Sequence, residues 1–184
     1  MILYHTGFQE IRHPDPYIGR ANADFGQGFY LSDDPEFSKR WARERRGEKT
    51  YLNEYALACE GLIVKRLSKG IEWFEYIFGN RTGKADAFSG CDVIIGPIAN
   101  DTIYDTWGIL TSGFVDAQTA LRVLMLGRTY TQIAIKTEKA AAALRFRSSV
   151  VLPHEEIAKY RASVEQEEKV FQEQFAAIIR EMPE

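Results

Sequence analysis

Four places in this 184-residue chain carry residue types that break the local pattern and could do chemistry. A foldable sequence agrees with its own elements almost everywhere, so such breaks are where function is expected. His5 closes the apolar run Met1-Ile2-Leu3-Tyr4 and precedes Thr6-Gly7. A glycine beside a histidine at a strand end lets a ligand approach the backbone closely. A core histidine bonded to backbone satisfies the same pattern. The second place is Asp24-Phe25-Gly26-Gln27-Gly28-Phe29-Tyr30, whose two glycines, one residue apart, imply a strained approach to a strand. Its rings offer flat faces to a planar heterocycle, although an aromatic hairpin packed into the core would look alike.

Gln132, in Tyr130-Thr131-Gln132-Ile133-Ala134-Ile135, is the third. Alternation sets Ile133 and Ile135 toward the core, so Gln132 lies on the opposite face beside small Ala134. An amide there suits the floor of a cleft, and equally a solvent-facing strand. The fourth is Gly96-Pro97-Ile98-Ala99-Asn100-Asp101, a polar turn after an apolar strand. Asn100 and Asp101 can hold a ligand or simply make the turn. Arg20 and Arg81 are candidate phosphate contacts by charge, and surface arginines are common. No Ser/His/Asp or Cys/His arrangement has positional support, and His5, His13 and His154 lack the spacing of metal ligands, so no metal is expected.

The elements that must position these residues follow from period and punctuation. Residues 1–5 read as a strand ending in a Thr6-Gly7 turn, and residues 9–27 as a long loop, a length usually reserved for function. Residues 28–32 form a second strand. Asp33 or Asp34 then caps a helix with Pro35 in its first turn, which Phe37 and Trp41 would dock on the core while Arg43, Arg45 and Arg46 face water. Strands are expected over 54–59 and 62–67, a helix over 71–78 stopped by Gly79-Asn80, and a buried strand over 91–97. A helix capped by Asp116 and ending at Gly127, a strand over 130–136, a short helix opened by Thr137, a strand over 146–152 and a long helix from Pro153 to about residue 181 complete the chain. Strands and helices are interspersed irregularly, and no phosphate-binding glycine motif follows a strand. The fold class is therefore mixed α+β, not a doubly wound nucleotide-binding fold.

Bulk composition narrows the function classes. Hydrophobic residues make up 45% and charged residues 27%, with net charge −3, so no basic field draws the chain to nucleic acid or anionic membrane. Cys59 and Cys91 sit apart in apolar runs and read as two buried thiols of a reducing cytoplasm. The N-terminus has no charged leader before an apolar stretch, and no run approaches the length of a membrane span, so a soluble cytoplasmic protein is expected.

Taken together, Leu3-Tyr4-His5-Thr6-Gly7 and Asp24-Phe25-Gly26-Gln27-Gly28-Phe29-Tyr30-Leu31-Ser32 running into Trp41-Ala42 resemble the ADP-ribosyltransferase superfamily. The chain looks closest to small bacterial ADP-ribosyltransferase-like proteins, with further matches at Asn80-Arg81, at 92–101, at Gln132-Ile133 and at 136–140. The resemblance spans about residues 1–146. It implies a split mixed β-sheet over residues 1–152 with flanking helices, and a cleft that binds NAD as substrate. In the branch with a histidine–tyrosine–glutamate signature, the resemblance gives His5 the adenosine-side ribose, Tyr30 the nicotinamide, and position 132 the ribose 2′-hydroxyl. It implies NAD contacts at His5, Thr6, Gly7, Arg20, Asp24, Phe25, Gly28, Tyr30, Arg81, Asn100 and Asp101.

Gln132 departs from the glutamate of that signature. Loss of nicotinamide leaves positive charge on the ribose, which a carboxylate stabilises; a neutral amide still orients the 2′-hydroxyl but stabilises that charge less. Mono-ADP-ribosylation of a protein or nucleic-acid acceptor is then expected rather than polymer synthesis, and Gln132→Glu is expected to raise activity. The company such small domains keep implies a toxin of a toxin–antitoxin or phage-defence module. A catalytically silent NAD-binding sensor or scaffold is the alternative; a transferase acting on RNA 2′-phosphate ends is a third, disfavoured by the lack of basic residues around the histidine. The C-terminal helix, residues 153–184, carries Ile157, Tyr160, Val164, Phe171, Phe175 and Ile178 at three- and four-residue steps. At about 1.5 Å per residue it runs roughly 40 Å and packs on its own domain or on a partner such as an antitoxin or a second copy.

Overall fold

A computed structural model describes residues 1–99, 126 and 129–180. The class is mixed α+β, with two sheets and four helices among the described residues. The strands are β1 (Ile2–Gly7), β2 (Phe29–Leu31), β3 (Tyr51–Leu57), β4 (Val64–Arg66), β5 (Val93–Pro97), β6 (Thr131–Ile135) and β7 (Leu144–Val151). The helices are α1 (Pro35–Lys39), α2 (Ile71–Arg81), α3 (Glu138–Ala143) and α4 (His154–Arg180). One sheet runs β1-β3-β7, entirely antiparallel. The other runs β2-β6-β5-β4 and is mixed, because β4 lies parallel to β5. Among the described residues they meet at one bridge, where Tyr4 and Ser32 exchange N–H···O bonds of 2.8 and 2.9 Å.

Strand alternation explains the core. Leu3 and Tyr55 of the first sheet pack on Phe29, Leu31, Val93, Ile95, Ile133 and Ile135 of the second. Each such aliphatic side chain removed from water stabilises the fold by about 1.5–3 kcal/mol. The far face of the second sheet carries Ile94 and Ala134, covered by Phe25 and by Trp73, Phe74, Tyr76 and Ile77 of α2. Every residue of β5 is buried in consequence.

Local signals hold where they act locally. Asp34 caps α1, its carboxylate accepting from the N–H groups of Glu36 and Phe37 at 2.9 and 3.3 Å, and Pro35 opens the helix. Thr137 caps α3 through the Ala140 N–H. Tertiary contacts override other signals. Thr6 and Gly7 do not turn but continue β1, held by Leu52 and Tyr51 of β3. Gly79 does not stop α2; the helix runs to Arg81 and ends near Gly83, whose φ of +78° is a left-handed backbone that favours glycine. Phe37 is buried as expected, but α1 ends at Lys39, before Trp41, which stays 52% exposed. The expected helix before Gly127 lies outside the described residues.

The long α4 lies on its own domain. Ile157 joins Ala42, Leu52 and Leu152 in a small apolar cluster. Polar ties to α1 run alongside it: Glu156 to Lys39 at 2.9 Å, Tyr160 to Glu36, and Glu167 to Arg40 at 2.6 Å. These pairs are partly buried, with the Lys39 and Arg40 side chains 17% and 14% exposed, so they add to the apolar contacts in docking the helix. Among the described residues no helix is long and apolar enough to cross a membrane.

Candidate functional site

The site lies where the two sheets part. Beyond the Tyr4–Ser32 bridge, the same antiparallel register would set Thr6 opposite Tyr30, yet Thr6 pairs only with β3. The His5 side chain fills that gap, its Nδ1 lying 2.8 Å from the Tyr30 carbonyl oxygen. A carbonyl only accepts, so Nδ1 carries the proton and Nε2 keeps its lone pair. Burial lowers the pKa of His5, outweighing the opposing effect of that hydrogen bond, and the ring is neutral at pH 7. It packs on Phe29, with ring centroids 4.5 Å apart. Gly7 gives the imidazole room: a Cβ there would stand 3.1 Å from Nε2. The space over Gly7 is thus filled by His5 itself. Thr6 turns its hydroxyl toward Ser38 of α1, 3.2 Å away.

Tyr30 lies on the far face of the second sheet. Its hydroxyl donates to the Gly26 carbonyl at 2.6 Å and accepts from the Phe25 N–H at 2.9 Å, closing residues 25–30 into a compact loop. Burial pushes the phenol pKa well above its usual range. Phe25 is fully buried, with its ring 6.4 Å from that of Tyr30 and 6.1 Å from that of Tyr76. Gly28 is required by close packing, since a Cβ there would meet the Ile135 carbonyl at 2.9 Å.

Register brings Gln132 to the same face. Tyr30 pairs with Ala134 across β2 and β6, so Gln132, two residues along, shares the side of the sheet that Tyr30 occupies. That face is not solvent, for Gln132 is only 8% exposed. Its Nε2 donates to Asp24 Oδ2 at 3.3 Å. Arg81 reaches Asp24 Oδ1 through both Nε and a terminal nitrogen, at 2.8 and 2.7 Å, and Asn80 donates to the Asp24 carbonyl at 3.0 Å. Asp24 and Arg81, each a candidate ligand contact, are therefore bonded to one another. Arg20 is exposed on the long loop, and Asn100 and Asp101 lie outside the described residues.

Four residues that the sequence did not nominate for the site, Lys136, Asp86, Tyr76 and Asn53, help to build it. Lys136, two residues beyond Ala134 on the same face, donates to the Phe25 carbonyl and pairs with Asp86 at 2.8 Å. Tyr76 donates to Asp86 at 2.9 Å. Asn53, opposite His5 in β3 and fully buried, accepts from the Ile11 N–H at 3.2 Å and donates to the Gln9 carbonyl at 3.0 Å, which fixes the chain leaving β1. Continuing the alternation of Gln132 and Ala134 by two residues would have found Lys136. Nothing local marks Asp86 or Asn53.

The cluster offers a neutral imidazole, a buried phenol ring and an amide, drawn from β1, β2 and β6. Such groups can orient hydroxyls and pack on a heterocycle; none is a free carboxylate. Among the described residues no three His, Cys, Asp or Glu side chains are grouped to hold a metal ion. A separate cleft of about 370 Å³ opens between residues 12–17 and α3, lined by Arg12, His13, Tyr17 and Glu138, and none of the nominated residues borders it. No curated protein matches the chain. Residues 1–146 match the family described as "Protein of unknown function (DUF3990)", and the chain belongs to that family.

Proposed function

We propose that the chain is a mono-ADP-ribosyltransferase that cleaves NAD and passes ADP-ribose to a macromolecular acceptor. The observation that carries this reading is that His5 bonds the Tyr30 carbonyl across the seam between the sheets, while Tyr30 and Gln132 share one face of the adjoining strands β2 and β6. Those are the positions that the resemblance to ADP-ribosyltransferases nominates. The neutral Nε2 of His5 can accept from a ribose hydroxyl, and the amide oxygen of Gln132 can accept from the 2′-hydroxyl beside the reacting carbon. Nicotinamide leaves with the electron pair of its glycosidic bond. The acceptor nucleophile then bonds to C1′ of the ribose and releases its proton. Proximity must supply much of the rate, because the amide carries no charge to oppose the cation. The role of a toxin in a toxin–antitoxin or phage-defence module rests on the resemblance alone.

A silent NAD-binding module is favoured by one observation: the carboxylate bonded to Gln132, that of Asp24, is already engaged by Arg81. Incubation with adenylate-labelled NAD and cell lysate separates the two. Transferred label that is lost in His5→Ala and Tyr30→Ala supports the transferase. Tight NAD binding without nicotinamide release over hours supports the silent module and overturns the transferase.

A further inference from the structure

We propose that Asp24 is a positioning residue for Gln132, and that this site is built for an amide at position 132 and not for a carboxylate. The proposal rests on reading His5, Tyr30 and Gln132 as one NAD site. A carboxylate accepts hydrogen bonds and donates none, so Asp24 Oδ2 forces Gln132 to present Nε2 to it. The amide oxygen is thereby turned to the other side, where it offers an acceptor to a ligand hydroxyl. Asp24 cannot yield to a different rotamer of Gln132. Arg81 holds Oδ1 with two bonds of 2.7 and 2.8 Å, the Ala99 N–H reaches Oδ2 at 3.4 Å, and Asn80 ties the Asp24 carbonyl. The side chains of Asp24 and Arg81 are 14% and 11% exposed, so water screens little of this.

Glutamine at 132 is then a complement to Asp24 and not a weakened glutamate. A glutamate would set two carboxylates about as close as the present 3.3 Å contact. Like charges at that range cannot both ionise without strain, and one would take a proton or swing away. Gln132→Glu is therefore expected to lower activity, the reverse of what the missing carboxylate alone implies.

The test is a double-mutant cycle on the full chain: wild type, Asp24→Asn, Gln132→Glu, and the two combined. The combined variant reverses the polarity of the same contact, since the new amide at 24 keeps an oxygen for Arg81 and turns its NH₂ to the new carboxylate, giving up only the long 3.4 Å bond from the Ala99 N–H. Gln132→Glu should lower the melting temperature by roughly 5 °C and slow nicotinamide release about ten-fold. Asp24→Asn should slow release about ten-fold, with the loss falling on the rate of release more than on NAD affinity, and the combination should recover most of both losses. Additive losses, a Gln132→Glu variant as stable and active as wild type, or an Asp24→Asn defect confined to binding would overturn the proposal. Should Gln132→Glu fail to fold, a folded combined variant supports the proposal and an unfolded one overturns it. A wild type that releases no nicotinamide would defeat the transferase reading, while the melting temperatures would still decide whether Asp24 and Gln132 are coupled.

Discussion

The two faces of the β2-β6-β5-β4 sheet are both buried, yet they are built on different physics. One face sets Phe29, Leu31, Ile133 and Ile135 against the neighbouring sheet, and shape is its whole content. The other is apolar where Phe25 and α2 cover Ile94 and Ala134, but at Tyr30, Gln132 and Lys136 it meets charged and polar groups: Asp24, Tyr76, Arg81 and Asp86. Residues 132 and 136 grip both ends of the 24–26 segment, and small Ala134 between them leaves room for Phe25 and Tyr30. An apolar face tolerates a similar shape. A buried polar face fails when one partner is missing, because the survivor keeps its desolvation cost. Tyr30 and Gln132 sit on the less forgiving face, while His5 packs on Phe29 of the other.

Lys136→Met gives the largest break in this contrast. It leaves Asp86 with neutral donors alone, Tyr76 and the Phe88 N–H, takes the charged donor from the Phe25 carbonyl, and should cost about 3 kcal/mol in a denaturant titration. Gly26→Ala probes the same grip from the loop side. Its φ of +72° strains any side chain, and a Cβ would stand 2.8 Å from the Lys136 ammonium, so a loss of roughly 2 kcal/mol is expected. On the apolar face, Ile135→Val should cost only about 1 kcal/mol by the same measurement and leave NAD binding unchanged. A loss there as large as that of Lys136→Met would erase the distinction between the faces.

The seam supplies the finest probe, through pH. Burial lowers the pKa of His5 below its ordinary 6.5, so below pH 6.5 the unfolded chain takes up a proton that the folded one resists. The stability His5 contributes is complete above pH 6.5 and is lost as pH falls through its folded pKa. A His5→Gln variant should lack this component of the acid-side decline in a pH series of thermal melts. An identical decline in both would remove His5 from the account.

Much of the frame was legible in the sequence because its signals are short-range. Asp34-Pro35 and Thr137 start helices where they stand, and the alternation from Thr131 to Ile135 shows a strand with unlike faces. The site was legible in part. His5, Tyr30 and Gln132 stand out by type, and the resemblance joined them. What pins them was not legible, because each tie spans a long stretch of chain. Asp24 meets Gln132 across 108 residues, and Lys136 meets Asp86 across 50. Gly79 misled for the same reason. A glycine stop is a local expectation, while Asn80 and Arg81 are kept helical by bonds to Asp24.

The pairing of β7 with β3 has a practical consequence for any shortened version of this protein. The family match ends at residue 146, the partner of Tyr55, and stops short of Ser148, Ser149, Val150 and Val151. A fragment cut there would strip one side of Tyr51, Leu52, Asn53 and Glu54, leaving a raw strand margin of unpaired amides and carbonyls that invites other chains to stack onto it. Ile157 would go too, baring Leu52 and Ala42. Such a fragment should aggregate more readily than the full chain, for reasons that have nothing to do with its chemistry.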